Sequence, residues 1–170
     1  MNNVIKKTII AIVILFSINT FSQNISLSKN VINDMKFMVE EEKVARDVYE
    51  YLGEKWNLKV FNNIKQSEQR HMEMMENLLN TNKIAYHLSD KRGVFYNKNL
   101  QKMYNDLIDK GSKSRYDALE VGKLIEVTDI GDLEKAIKNT TDTYIHQVYS
   151  NLLRASENHL QAFNRQLAKY

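Results

Sequence analysis

Between Phe61 and Leu79 the chain reads FNNIKQSEQRHMEMMENLL, with apolar residues recurring at three- and four-residue spacing. The stripe so marked is Phe61, Ile64, Glu68, His71, Met75, Leu78, a helix face interrupted at its middle by an acid and an imidazole. Positions three apart share one face of a helix, so Glu68 and His71 point the same way. Taken alone, such a pair reads most simply as a local hydrogen bond that satisfies both groups. It gains meaning because the other long periodic segments are interrupted in the same way. The 170 residues include no proline and 5 glycines, so little punctuates these segments. Strand signals are sparse, and the composition predicts an all-α domain.

The N-terminus predicts a segment that is removed. Lys6 and Lys7 precede an apolar run from Thr8 to Phe16, followed by small or polar residues and Ser22-Gln23. This is the order of a secretory signal peptide, expected over residues 1–22, with the mature domain over 23–170. The run falls short of the roughly twenty residues that span a bilayer, so no stable membrane span is expected after cleavage. An uncleaved anchor is the alternative. The expected location is periplasmic or secreted, and with no cysteine the chain has no disulfide or thiol-linked lipid. Loss of Lys6 and Lys7 lowers the formal charge from +3 to about +1, which argues against electrostatic binding of nucleic acid.

The first helix is expected from about Lys29 to Gly53, with Gly53 as its stop. Its stripe is Met35, Met38, Glu42, Ala45, Tyr49, Leu52. The run Glu40-Glu41-Glu42 reads mostly as a solvated face, with Glu42 the best candidate to turn inward and Glu41 the fallback. Arg46 and Asp47 read as surface or inter-helix ion pairs. A short connection over 54–60 leads to the second helix, which ends near residues 80–82. Residues 83–114 are irregular apart from a small amphipathic helix near 100–109 closed by Gly111. The third main helix starts near 113–115 and carries Ala118, Leu119, Gly122, Ile125 and Glu126. It includes Asp129 and Leu133 if it is unbroken. Two readings of Asp129 stand: a ligand on the face of Glu126, or the cap of a new helix after a break at Thr128–Gly131. After a turn at 139–142 the last helix runs to about Ala168, with His159 inward and His146 on another face. Two short links flanking one long crossover describe ferritin-like connectivity.

The metal-capable groups on these stripes are Glu42, Glu68, His71, Glu126, Asp129 and His159. Unpaired, acids in a core cost several kcal/mol each. Two divalent cations would neutralise all four carboxylates. Mixed carboxylate and imidazole ligation suits iron or manganese and is compatible with zinc. Tyr49, on the stripe of Glu42, is a candidate redox-active neighbour.

The stretches EEEKVARDVY (40–49), SEQRHM (67–72), VGKLIE (121–126) and NHL (158–160) resemble a bacterial family of unknown function within the ferritin-like superfamily. The likeness covers nearly all of the mature chain. It implies a ferritin-like four-helix bundle, with a long crossover between the second and third main helices that carries a short extra helix. It also implies a di-iron carboxylate centre like those of rubrerythrins and bacterioferritins. The chain departs from the superfamily at Ser156, where the last helix usually carries the Glu of Glu-x-x-His. One metal position is therefore expected to lack a carboxylate. A length count adds a second departure. At about 1.5 Å per residue, a hairpin turning near Asn139 leaves His159 several ångströms above Glu126.

Three functions follow as expectations. The first is an exported di-iron oxidoreductase, a ferroxidase or a peroxide reductase, with oxygen or peroxide as oxidant. The second is a metal-binding or metal-buffering module without turnover, holding about one ion, where the di-iron reading has two ions or one. The third is a structural or stress-related bundle whose polar core serves only for pairing. A homo-oligomer is compatible with each, and no sequence patch marks its interface.

Overall fold

The computed structural model describes residues 27–170, and the leader expected over 1–22 lies outside them. The described residues form five helices: α1 (Lys29–Trp56), α2 (Lys59–Thr81), α3 (Lys98–Gly111), α4 (Arg115–Asn139) and α5 (Thr143–Leu167). They contain no strand, and none of their helices is long and apolar enough to cross a membrane.

Local chemistry sets the helix ends. Ser28 Oγ accepts from the Val31 N–H at 3.3 Å to start α1, and Asp142 accepts from the Tyr144 and Ile145 N–H groups to start α5. α1 runs through Gly53, the expected stop, and ends instead at Asn57, which adopts φ 51° and returns its N–H to the Gly53 carbonyl. Asn tolerates the left-handed region, so it serves as the cap. Gly53 is needed for close packing: a Cβ there would lie 2.8 Å from Asn62 Oδ1. The connection expected over 54–60 therefore shrinks to Asn57–Leu58.

α4 is continuous through Thr128–Gly131. Thr128 turns its hydroxyl back onto the Leu124 carbonyl at 3.0 Å, and Asp129 is buried within the helix. The reading of Asp129 as a cap is overturned.

α1 packs on α2 and α4 on α5, α1 also meets α4, and α2 meets α5. α3 lies against α1 and α4. α1 and α4 run antiparallel. Near one end Asn139 Nδ2 donates to Asp34 at 2.9 Å, and further along Tyr49 donates to Glu126 Oε1 at 2.6 Å. The buried apolar residues form two clusters. One gathers Val48, Tyr49, Leu52, Phe61, Leu119, Ile125 and Phe163; the other gathers Met35, Met38, Met75, Leu133, Tyr149 and Leu152. Between them every long helix contributes polar residues: 40–43 on α1, 68–71 on α2, 126–129 on α4 and 156–159 on α5. The core is two apolar blocks with a polar layer between them.

The run Glu40-Glu41-Glu42 departs from its expected solvated role, since all three side chains are buried. For Glu40 the cause is the crossover, which covers that side of α1. Glu40 accepts from the Tyr96 and Asn97 N–H groups at 2.6 and 3.0 Å, just ahead of α3. Asp47 is likewise buried, not a surface ion-pair partner. It binds Lys43 and Arg46 and accepts the Gly93 N–H at 2.9 Å. The fully buried Lys43 also donates to the Lys91 carbonyl at 2.9 Å and lies 4.4 Å from the Phe95 ring centre.

Candidate metal centre

The side chains of the polar layer converge from four helices. On α2, Glu68 Oε2 lies 2.8 Å from His71 Nδ1, and Glu42 Oε2 of α1 approaches the same nitrogen at 3.4 Å. On the other side, Glu68 Oε1 lies 2.8 Å from His159 Nδ1 of α5, and Glu126 Oε2 of α4 is 3.5 Å from that nitrogen. The two imidazoles stack with centres 5.5 Å apart. Glu42, Glu68, His71 and Glu68, Glu126, His159 thus form two triads, each with ligand atoms within 4.8 Å of one another and each able to hold a metal ion. Glu68 belongs to both.

The short distances are not directed hydrogen bonds. His71 Nδ1, His159 Nδ1, Glu42 Oε1 and Glu68 Oε1 are buried and lack a hydrogen-bond partner of suitable geometry. Ser67 Oγ lies 3.3 Å from His71 Nε2, which orients the ring and leaves Nδ1 for the centre.

Burial and charge work against each other here. Burial raises Glu42 to about 7 against the pull of His71. Burial and the Glu68 charge raise Glu126 to about 7. For Glu68 burial also favours the neutral acid, but the two imidazoles overcome it and hold the group near about 2. Burial disfavours the His71 cation, yet Glu42 and Glu68 lift it to about 11. His159 is lifted to about 9 against the same opposition, by Glu126 and Glu68. A cation at each triad would take over the role of these protons.

Asp129 lies in the layer but in neither triad. Ser156 Oγ donates to its Oδ2 at 2.5 Å, while Oδ1 is buried without a partner. The position where a Glu is expected thus holds a hydroxyl that fixes a carboxylate from the facing helix. The expected offset of His159 from Glu126 is also closed. Side chains lean toward the N-terminus of their own helix, so Glu126 leans away from the α4–α5 turn and His159 leans toward it. The two leans bring the groups to 3.5 Å.

One wall is aromatic. Tyr49, Phe61 and Phe163 pack with ring centres 5.4–5.7 Å apart, and the Tyr49 hydroxyl reaches Glu126 at 2.6 Å. Gly122 makes room for the Phe163 ring, since a Cβ there would meet it at 2.3 Å. The hydrogen-bonding roles of Ser67 and Ser156 escape sequence reasoning, although Ser67 leaves a trace, four residues before His71 on the same face.

Residues 32–170 match the family model described as an uncharacterized protein domain (DUF2202). The chain is similar to uncharacterized protein MJ0754 of Methanocaldococcus jannaschii, 48% identical over 134 residues, covering 78% of this chain and 72% of that protein. The crystal structure of hypothetical protein MJ0754 superposes with a TM-score of 0.84 at 44% identity, covering 85% of this chain and 83% of the other. That relative is archaeal, so the likeness is not confined to bacteria. With the family model spanning nearly all the described residues, the chain belongs to the DUF2202 family.

Proposed function

We propose that this chain is a ferritin-like four-helix-bundle protein whose polar layer binds two divalent metal ions and uses them in oxidation chemistry, as a ferroxidase or a peroxide reductase. One observation carries the reading: two buried imidazole nitrogens and three carboxylates from four helices converge into two triads that share Glu68. Glu42, Glu68 and His71 would hold one ion, and Glu68, Glu126 and His159 the other. The donor set of acids and imidazoles fits iron or manganese better than a thiolate-seeking metal. Bound iron would supply one-electron exchange between its ferrous and ferric states.

The chain's own residues prepare the site. The apolar blocks above and below exclude water, which strengthens each charge interaction within the layer. Ser67 orients His71. Tyr49 holds Glu126 by a 2.6 Å hydrogen bond and keeps its proton, because burial first and the Glu126 charge second raise its pKa well above the ordinary range. It stands as a neutral donor beside the second triad.

A second reading, metal binding without turnover, is favoured by Ser156, which leaves the last helix with only one donor for the centre. One experiment separates the two. The protein without a histidine tag is loaded with Fe(II) under anaerobic conditions and then mixed with oxygen or peroxide. Turnover predicts two irons per chain and a rise in near-ultraviolet absorbance on oxidation. Binding without accelerated oxidation selects the second reading, and absence of binding overturns both.

A further inference from the structure

The polar layer contains a buried acid that neither triad uses. Glu41 is 3% exposed, and neither of its carboxylate oxygens has a hydrogen-bond partner. Its neighbours are accounted for, since Glu40 holds the backbone ahead of α3 and Glu42 faces His71. A carboxyl buried with no protein partner is costly, and a bound ion is one way to meet that cost.

The register of α1 against α4 locates Glu41. Asp34 of α1 is hydrogen-bonded to Asn139 of α4. Seven residues up α1 from Asp34 is Glu41, and seven residues back along the antiparallel α4 from Asn139 is Asp132. Glu41 therefore lies level with Asp132 and within a turn of Asp129.

Beside the outer end of this seam lies a cavity of about 270 Å³ whose lining includes Asp34, Phe37, Met38, Asp132 and the cation Lys135. Asp132 is half-buried there. Within a turn of Glu41, Asp129 has a buried Oδ1 without a partner. Asp34 and Asp132 are half-buried, and Glu41 and Asp129 behind them are buried, as are Glu42 and Glu126 of the triads. A larger cavity of about 620 Å³ opens over α1 and α2, but it balances its acids with Arg46, Lys65, Arg70 and Arg92 and suits a cation less well.

We propose that Glu41 is a transit ligand for divalent metal ions, taking them from the cavity at Asp34 and Asp132 and passing them along the α1–α4 seam to the Asp129 side of the central layer. The proposal rests on the metal-centre reading above. Glu41 belongs to neither triad, as suits a station an ion passes through.

The test mixes metal-free protein with Co(II) in a stopped-flow instrument and follows the visible absorbance of the bound ion. Glu41→Gln keeps the shape and removes the carboxylate that would bind a cation. It should slow loading by about ten-fold or more, the scale on which focused charge alters association. Its final absorbance and Co(II) content should match those of the native chain. Asp132→Asn, at the half-buried mouth, should slow loading in the same sense and carries the test if Glu41→Gln does not fold. Glu73→Gln, at the larger cavity, should load at the native rate. Native-rate loading of the Glu41 and Asp132 variants overturns the transit role while leaving the metal centre standing. A Glu41→Gln protein that binds fewer ions at saturation also overturns it, because Glu41 would then be a resident ligand. Failure of the native chain to bind Co(II) overturns the metal centre and this proposal together.

Discussion

Glu68 is held between two imidazoles, its Oε2 2.8 Å from His71 Nδ1 and its Oε1 2.8 Å from His159 Nδ1. One carboxylate thereby joins α2 to α5 and both triads to each other. The consequences differ with the occupancy of the layer. Without metal, Glu68 is the counter-ion of two histidines; under the proposed function it would be a ligand common to both triads.

The first prediction concerns that shared position. Glu68→Gln should weaken metal binding at both triads by about 100-fold or more, beyond the 10–100-fold typical for losing an outer-shell partner. Calorimetric titration with Mn(II) or Co(II) measures it. A variant that still binds one ion at native affinity would show that Glu68 is not shared.

The pairing-only reading makes an opposite prediction. Glu68→Leu with His71→Leu should stabilise the metal-free fold if the layer serves only to pair charges, because well-packed apolar replacements often match or beat a buried ion pair. Under the metal reading the same double variant loses the rise in Tm that added metal gives the native chain. Melting curves with and without metal decide between them.

Stability of the metal-free protein should fall as pH rises. Glu42 and Glu126, at about 7 in the fold, bind protons more tightly than in the unfolded chain, so their contribution is complete below the ordinary carboxyl value and disappears as pH passes about 7. His71 and His159 behave alike at higher pH. Their contribution is complete below the ordinary imidazole value and is lost as pH rises through about 9 and then about 11. Glu68, lowered to about 2, opposes this trend only in acid. Metal must displace the same protons, so the gain in Tm on adding metal should grow from pH 6 to pH 9. Differential scanning calorimetry of both forms checks the two signs.

Ser156→Ala should leave Asp129 Oδ2 buried without its 2.5 Å donor. Losing one partner of a buried polar pair costs about 1–3 kcal/mol. Adding Asp129→Ala should recover part of that loss, and urea unfolding of the two single variants and the double variant gives the coupling.

Lys43→Met should strip a fully buried cation from Asp47 and release the Lys91 carbonyl. Removing one partner of a buried pair costs about 3–5 kcal/mol; the remaining Arg46 contact puts this variant at the low end. Limited proteolysis should then cut within 83–97 faster than in the native chain.

The helices and their inward faces are legible along the chain because amphipathic periodicity is a local property. The stripes Met35-Met38-Glu42-Tyr49-Leu52 and Phe61-Ile64-Glu68-His71-Met75-Leu78 are all buried. Spacing also places Glu42, Glu68, Glu126 and His159 on inward faces at mid-helix. What periodicity cannot carry is contact between distant segments. Glu40 and Glu41 look like solvent residues until the crossover and α4 cover them. Asp129 reads equally as cap or core until α4 runs unbroken beneath it. The gap between Glu126 and His159 closes only when two antiparallel helices lean their side chains toward each other. The residue types and their faces were thus determined by the sequence itself. Which of them meet, and which acid stays buried without a partner, was decided by the tertiary structure, because desolvation and convergence depend on neighbours that lie far away along the chain.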